Sequence, residues 1–469
     1  MGFNSLQFVF FLPLVFAMHW LLPHKWRWML LLAASYYFYM TWNPWFGILL
    51  FGTTVIDWWS GLQIEKATSQ KRKKALLLVS VLSNLGCLAG FKYSAFLYNT
   101  FEWSTAQFSG STPHYMAALM IPVGLSFYVF HSLSYTIDVY RGKIPAEKHL
   151  GIFALFVSFF PQLVAGPIAR FGELGVQFHQ QHSLNTERFI SGARLMIWGY
   201  FKKIAIADRL ADYVNPLFDH PANFHGLTLL LGGFFFVVQV YCDFSGYSDI
   251  ASGIARMFGY ELKLNWNRPL LSKSLQEFWS RNHISMTSWF RDYLYVSIGG
   301  SRVSYPRWLL NLFLVFLISG LWHGASWTFV IWGGMHGIVY IIEILVKGKF
   351  RIRFLGWPYL ILFHTLTLIA FRANSFEDLQ IFYQRIFTFN WNLTESLVEL
   401  RLLHDLLPLF LALFGIAFLF AKELSEENAW FIRLPKFKTF WRPLFYCLAF
   451  VAIFAIGQFS ANEFIYFHF

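Results

Sequence analysis

Trp308-Leu309-Leu310-Asn311-Leu312-Phe313-Leu314-Val315-Phe316-Leu317-Ile318-Ser319-Gly320 runs into Leu321-Trp322-His323-Gly324-Ala325, and a second apolar run follows from Trp327 to Val346. The pair reads as a helical hairpin with an imidazole at its tip. The first arm covers about 14 residues, or about 21 Å at 1.5 Å per residue, against a hydrocarbon core of about 30 Å. It is too short to cross a bilayer alone. If it starts near Arg307 on the cytoplasmic side, its tip stops inside the membrane and holds His323 there. An ionisable group at that depth costs energy and is by default a functional candidate. Neutral histidine is the cheapest such group to bury, so a plain hydrogen bond to a neighbouring helix is the alternative reading.

The rest of the chain agrees with a membrane setting. Its 469 residues are 57% hydrophobic and only 13% charged, with 56 Phe and 20 Trp. That is more apolar surface than one soluble core of this length buries, which argues against a water-soluble enzyme and excludes disorder. The net charge of +12 is scattered over loops between apolar runs. Phosphate recognition needs Lys and Arg clustered on a solvated face, so no nucleic-acid partner is expected. Cys87, Cys242 and Cys447 are widely separated and indicate neither a disulfide framework nor a thiolate metal site.

Apolar stretches of spanning length recur from end to end, and the first, Phe8 to Leu22, reads as a retained span. Basic loops set the orientation, because short cytoplasmic loops carry the excess Lys and Arg. His24 to Arg27, Lys66 with Lys71 to Lys74, Arg141 to Lys148, Lys347 to Arg353 and Lys422 to Arg442 are placed inside. Asn43-Pro44, Phe101 to Pro113 and Phe389 to Glu399 are placed outside. Both termini then fall outside the cytoplasm, with roughly ten to twelve crossings. Pro161 to Asn185 and Leu262 to Arg307 break this pattern with Gly, Pro and alternating polar residues. Irregular backbone at membrane depth survives only where protein or a wet cavity surrounds it, so these stretches are the re-entrant or interfacial candidates.

Other polar residues compete for a role. His283 lies in an amphipathic run, Glu277 to Tyr293, that fits an interfacial helix with Trp279 and Trp289 anchored at the headgroups. Asp243-Phe244-Ser245-Gly246-Tyr247-Ser248-Asp249 puts two carboxylates into an apolar region, which suits either a wet cavity or capping at a helix break. His336, in Gly333-Gly334-Met335-His336-Gly337, reads as part of a close helix contact. Leu294 to Arg302 ends in a glycine pair that turns the chain and lacks the spacing of a nucleotide cradle. His179 and His182 have no companion ligands of metal-site type.

Together, Phe160-Pro161-Gln162-Leu163-Val164-Ala165-Gly166-Pro167-Ile168, Asp243 to Asp249, Phe278 to Gly300, Gly320 to Ala325 and the aromatic tail Phe464 to Phe469 resemble the membrane-bound O-acyltransferases. Within them they resemble the alginate O-acetyltransferase type of bacterial cell-envelope acylation subunit. The likeness covers nearly the whole chain. It implies a ring of transmembrane helices around a thinned catalytic centre, where a cytoplasmic acyl thioester meets an acceptor on the outer face. The family's catalytic histidine falls on His323 and its second motif histidine on His283. Members often carry two Arg and a Trp before that second histidine, where this chain has Ser280-Arg281-Asn282. Asn4-Ser5-Leu6 and Ala33 to Tyr39 are closer to the alginate type than to the D-alanine transfer branch.

The expectation is therefore an all-α polytopic membrane protein, one integrated domain over residues 1–469 in the bacterial cytoplasmic membrane. It moves an acetyl group from a cytosolic thioester, acetyl-CoA, to a hydroxyl of an extracytoplasmic partner protein or of a polysaccharide of alginate, peptidoglycan or cellulose type. No permanently bound cofactor and no metal are expected. His323 serves as general base. His283 orients the acceptor, binds the donor or steadies the oxyanion. Trp322, Asp243, Ser245, Asp249, Arg281 and Asp292 are the expected substrate-binding positions. Direct transfer is simpler than an acyl-enzyme on Ser319 or Ser326. The competing readings are D-alanyl transfer from a carrier protein to teichoic acid, and a transporter or flippase.

Overall fold

A computed structural model describes residues 1–109, 112–346, 356–389, 391–403 and 406–427, and beyond them residues 444, 446–447, 449–451, 453, 457 and 464–465. The basic loop Lys347 to Arg353, most of Lys422 to Arg442 and most of the aromatic tail lie outside the described residues. What is described is helical, with no strand among the described residues. The chain divides into two compact units: Met1–Gly192 with Ile254–Lys263, and Ala193–Gly253 with Leu264–Phe469.

The first unit is built from α1 (Leu6–Leu21), α2 (His24–Met40), α3 (Pro44–Lys66), α4 (Gln70–Leu88), α5 (Ser94–Ser109), α6 (Leu125–Tyr140), α7 (Leu150–Ser158) and α8 (Phe160–Leu163). Local signals set its boundaries. Asn43 accepts from the Trp45 N–H at 3.0 Å and Pro44 occupies the first turn, so α3 starts there. Asp57 is fully buried, yet Ser80 and Asn84 donate to it at 2.6 and 2.9 Å, which offsets the cost of a carboxylate among apolar helices. Pro161 to Asn185 is irregular as expected: after α8 the chain turns and forms only a 3₁₀ turn at Gly175–His179.

α9 (Thr186–Tyr200) leads through a π turn, Phe201–Ala207, into α10 (Asp208–Asp219). The second unit continues with α11 (Gly226–Met257, its last residues counted in the first unit), α12 (Leu275–Arg281), α13 (Ile284–Trp289), α14 (Tyr305–His323), α15 (Trp327–Val346), α16 (Gly356–Arg372), α17 (Phe376–Phe387), α18 (Leu393–Leu403) and α19 (Leu406–Glu427). Among the described residues, five helical stretches are long and apolar enough to cross a membrane: Gln70–Ser109, Gly226–Met257, Tyr305–His323, Trp327–Val346 and Leu407–Glu427. Leu78, Leu82, Phe410 and Phe414 stand exposed on two of them, a liability in water and the normal state of a lipid-facing side chain.

The expected hairpin is present as α14 and α15, but its first arm is longer than the apolar run. α14 takes in Tyr305–Arg307 and ends on His323, 19 residues in all, which is about 28 Å at 1.5 Å per residue. Close packing of the two arms fixes the position of His323 at the hairpin tip. The arms approach so closely that a Cβ on Gly320 would lie 2.3 Å from the Phe329 carbonyl oxygen, and one on Gly333 would lie 2.5 Å from that of Phe316. Backbone oxygens cannot step aside, so these glycines are required by contact. We expect Gly333→Leu to abolish a monodisperse size-exclusion peak, whereas Gly334→Ala, with Leu317 3.8 Å from its added carbon, elutes as wild type.

Candidate active site

Within the second unit a cavity of about 80 Å³ is walled mainly by rings, and His323, His283 and Asp243 all line it. His323, only 6% exposed, is gripped by Trp322, Trp332 and Phe371 at ring distances of 4.9, 5.1 and 5.4 Å. The hairpin supplies the first two partners and α16 the third. An imidazole so enclosed is held in one position by the three rings.

His283 reaches the same cavity by a different device. The expected continuous amphipathic helix is broken: α12 ends at Arg281, His283 adopts a left-handed conformation (φ 44°, ψ 52°), and α13 begins at Ile284. A non-glycine residue rarely takes this conformation, and such strain persists where surrounding structure enforces it. Asn265 enforces it here. Its carbonyl oxygen accepts from Ile284 N–H at 2.8 Å, and its Oδ1 accepts from Ser285 N–H at 3.1 Å, Ser285 Oγ–H at 2.8 Å and His283 Nδ1–H at 3.3 Å. With the proton on Nδ1, Nε2 carries the lone pair. The ring packs edge-on to Phe244 at 4.6 Å and lies 6.4 Å from Trp322. Trp279 and Trp289 are 7% and 8% exposed, so they belong to the core of this unit and do not serve as headgroup anchors.

Asp243 to Asp249 lies inside the unbroken α11, not at a helix break. A Cβ on Gly199 would lie 2.5 Å from the Gly246 carbonyl oxygen, so α9 and α11 touch backbone to backbone. That contact delivers the π-turn lysines. Lys203 bridges Asp208 at 2.8 Å and Asp243 at 2.5 Å, while Lys202 bridges Asp249 at 2.7 Å and donates to Ser245 Oγ at 2.8 Å. Asp243 Oδ2 also accepts from Ile465 N–H at 3.0 Å, and Phe464 packs on Phe244 and Tyr247 at 5.3 and 5.0 Å. Phe464 and Ile465 thus close one wall of the cavity.

The structure brings His323, His283 and Asp243 together and places the other expected residues around or away from them. Trp322 stands between the two histidines. Ser245 and Asp249 are engaged with Lys202. Arg281 pairs with Glu277 at 2.7 Å and Glu427 at 2.8 Å, and Asp292 pairs with its neighbour Arg291 at 2.8 Å; neither lines the cavity. Of the two serines near the hairpin tip, Ser326 bonds to Thr328 at 3.1 Å. Ser319 lines a second, larger cavity of about 530 Å³ that shares Trp279 and Met286 with the first. Sequence reasoning missed Asn265, Lys202, Lys203, Trp332, His364 and Phe371.

Residues 148–377 match the model of the membrane-bound O-acyltransferase family. The chain is 39% identical to the probable alginate O-acetylase AlgI of Azotobacter vinelandii over 91% of its own length and 87% of that protein's. It is 32% identical to the peptidoglycan O-acetyltransferase of Helicobacter pylori over 80% of this chain and 78% of that one. Identity to the teichoic acid D-alanyltransferase of Bacillus subtilis is 26%, over 48% of this chain and 59% of that protein.

Proposed function

Because the chain belongs to the membrane-bound O-acyltransferase family, we propose that it moves an acetyl group from a cytosolic thioester, acetyl-CoA, to a hydroxyl of an extracytoplasmic polymer or partner protein. The observation that carries this reading is the shared, ring-walled cavity between His323 and His283. Its volume of about 80 Å³ suits an acetyl group and a hydroxyl, not a long acyl chain. The larger cavity beyond Trp279 and Met286 leaves room for the remainder of a donor.

The hydroxyl oxygen attacks the thioester carbonyl carbon while His323 takes the hydroxyl proton. The tetrahedral intermediate collapses, the carbon–sulfur bond breaks, and the imidazolium returns that proton to the departing thiolate. His283, which lines the same cavity, orients the acceptor by accepting at Nε2 from a second hydroxyl of it, not from the one that attacks. Direct transfer is favoured, since neither Ser319 nor Ser326 lines the cavity that holds His323. In this reading the spans complete the ring of ten to twelve crossings in the cytoplasmic membrane, with both termini outside and a soluble acceptor or acetyltransferase docking there. The alginate and peptidoglycan activities named for its relatives support polysaccharide as the acceptor class.

The test is thiol release and label transfer from acetyl-CoA by purified protein in lipid, with a candidate acceptor added. Consumption of only a D-alanyl carrier would move the assignment to the teichoic-acid class, and no turnover of either donor would favour a translocation path. His283→Asn is the informative partner variant, because Asn tolerates the left-handed turn. We expect kcat to fall roughly ten- to hundredfold, the cost of losing orientation, with elution unchanged. Wild-type kcat in that variant would exclude His283 from the reaction.

A further inference from the structure

We propose that the end of the cavity formed by Trp279, Trp332, His336 and His364 binds the amide of a pantetheine arm, the group that carries the thioester in both coenzyme A and acyl carrier proteins. The proposal rests on the acyl-transfer reading above and adds to it the part of the donor that the protein recognises.

All four rings line the cavity, and they are 7%, 4%, 1% and 3% exposed in that order. Among the described residues, Trp279 Nε1, Trp332 Nε1, both nitrogens of His336 and Nε2 of His364 have no hydrogen-bond partner. Buried donors and acceptors are nearly always paired, and leaving one unpaired costs about 1–3 kcal/mol. This cluster is also compact: ring centroids lie 6.0 Å apart for Trp279 and Trp332, 4.7 Å for Trp332 and His336, 5.3 Å for Trp279 and His336, and 5.5 Å for His336 and His364. Unpaired buried groups so concentrated mark a place that a polar ligand can satisfy.

Their chemistry is two-sided. Each indole N–H can only donate. His364 Nδ1–H donates to the Leu360 carbonyl at 2.7 Å, which fixes the tautomer and leaves Nε2 as an acceptor. Neutral His336 offers one of each. A carbonyl alone would satisfy the indoles and leave His364 unpaired; an amide supplies the carbonyl oxygen and the N–H together. The spacing fits as well. Trp332 packs against His323, and His336 is one turn further along α15, about 6 Å at 1.5 Å per residue. In a pantetheine thioester only two methylenes separate the sulfur from the nearest amide nitrogen. A thioester carbonyl at His323 therefore lays that amide beside His336 and His364, next to Trp279 on the border of the larger cavity.

The experiment compares two small donors on the full-length protein in lipid with the acceptor present. S-acetyl-N-acetylcysteamine carries the amide; S-acetyl-2-mercaptoethanol lacks it. We expect wild type to prefer the first in kcat/KM by roughly tenfold or more, His336→Phe and His364→Phe to bring the ratio toward one, and His336→Gln, which keeps a donor and an acceptor, to retain it. Equal use of both donors by wild type overturns the proposal whether or not the Phe variants fold. A preference that persists in folded Phe variants overturns it too, and assigns the cluster to structural water. Acetyl-CoA and an acetylated carrier protein, run in parallel, show which source of the arm is used. Failure of wild type to turn over any of these thioesters overturns acyl transfer itself, and this proposal with it.

Discussion

Replacing His323 by alanine lowers acetyl transfer by roughly 10²- to 10⁴-fold, the contribution of a positioned general base, while the protein still elutes as a folded species. His323 is the terminal residue of α14, and the glycine contacts that close the hairpin lie elsewhere, at Gly320 and Gly333. Its removal therefore opens a small void without separating the arms. The more decisive substitution is His323→Gln, which preserves polar contact and much of the volume but accepts no proton. If the site binds and translocates, glutamine serves nearly as well as histidine. If His323 is the base, glutamine is as defective as alanine in kcat, with KM for the donor close to wild type. A folded His323→Gln protein that retains transfer within about tenfold would remove the general-base assignment.

How far this site could be read from the sequence depends on where its partners come from. His323 was legible because an imidazole sits at the junction of two long apolar runs, and α14 and α15 appear where those runs predict them. The arm proves longer than the apolar run alone, since Tyr305 to Arg307 extend the helix, and the three rings that enclose His323 come from three different helices, which the run does not show. His283 was legible as a residue but not as a conformation. Its left-handed turn is imposed by Asn265, 18 positions away, and no local pattern marks a residue that acts across a loop. His336 reads as a packing residue among glycines, and only the arrival of His364 from α16 and Trp279 from α12 shows it lining a common cavity with them. Lys202-Lys203 illustrates a signal that was available. Two lysines and two aspartates, each pair in an apolar context, are more economically explained as mutual counter-ions than as separate polar sites.

That pairing leads to the largest expected effect on stability. Lys203→Met destabilises the protein by about 3–5 kcal/mol, because it strands carboxylates that cannot reach water. Lys203 is 7% exposed and its partners Asp208 and Asp243 are 3% and 1% exposed. Methionine fits the volume and loses only the charge, so the cost comes from Asp208 and Asp243 and not from a cavity. Two comparisons separate this from a general intolerance of the π turn. Lys202→Met should cost less, since Asp249 keeps a side-chain exposure of 19% and can be hydrated. Adding Asp208→Asn and Asp243→Asn to Lys203→Met should recover most of the loss, because no unpaired buried charge then remains. The Ile465 N–H can still donate to the amide oxygen of an asparagine at 243, so the wall made by Phe464 and Ile465 is retained in the triple variant. The measurement is the unfolding midpoint of each variant in one detergent. A Lys203→Met midpoint equal to wild type would mean that water reaches these carboxylates, and the cavity wall would then be wetter than its burial indicates.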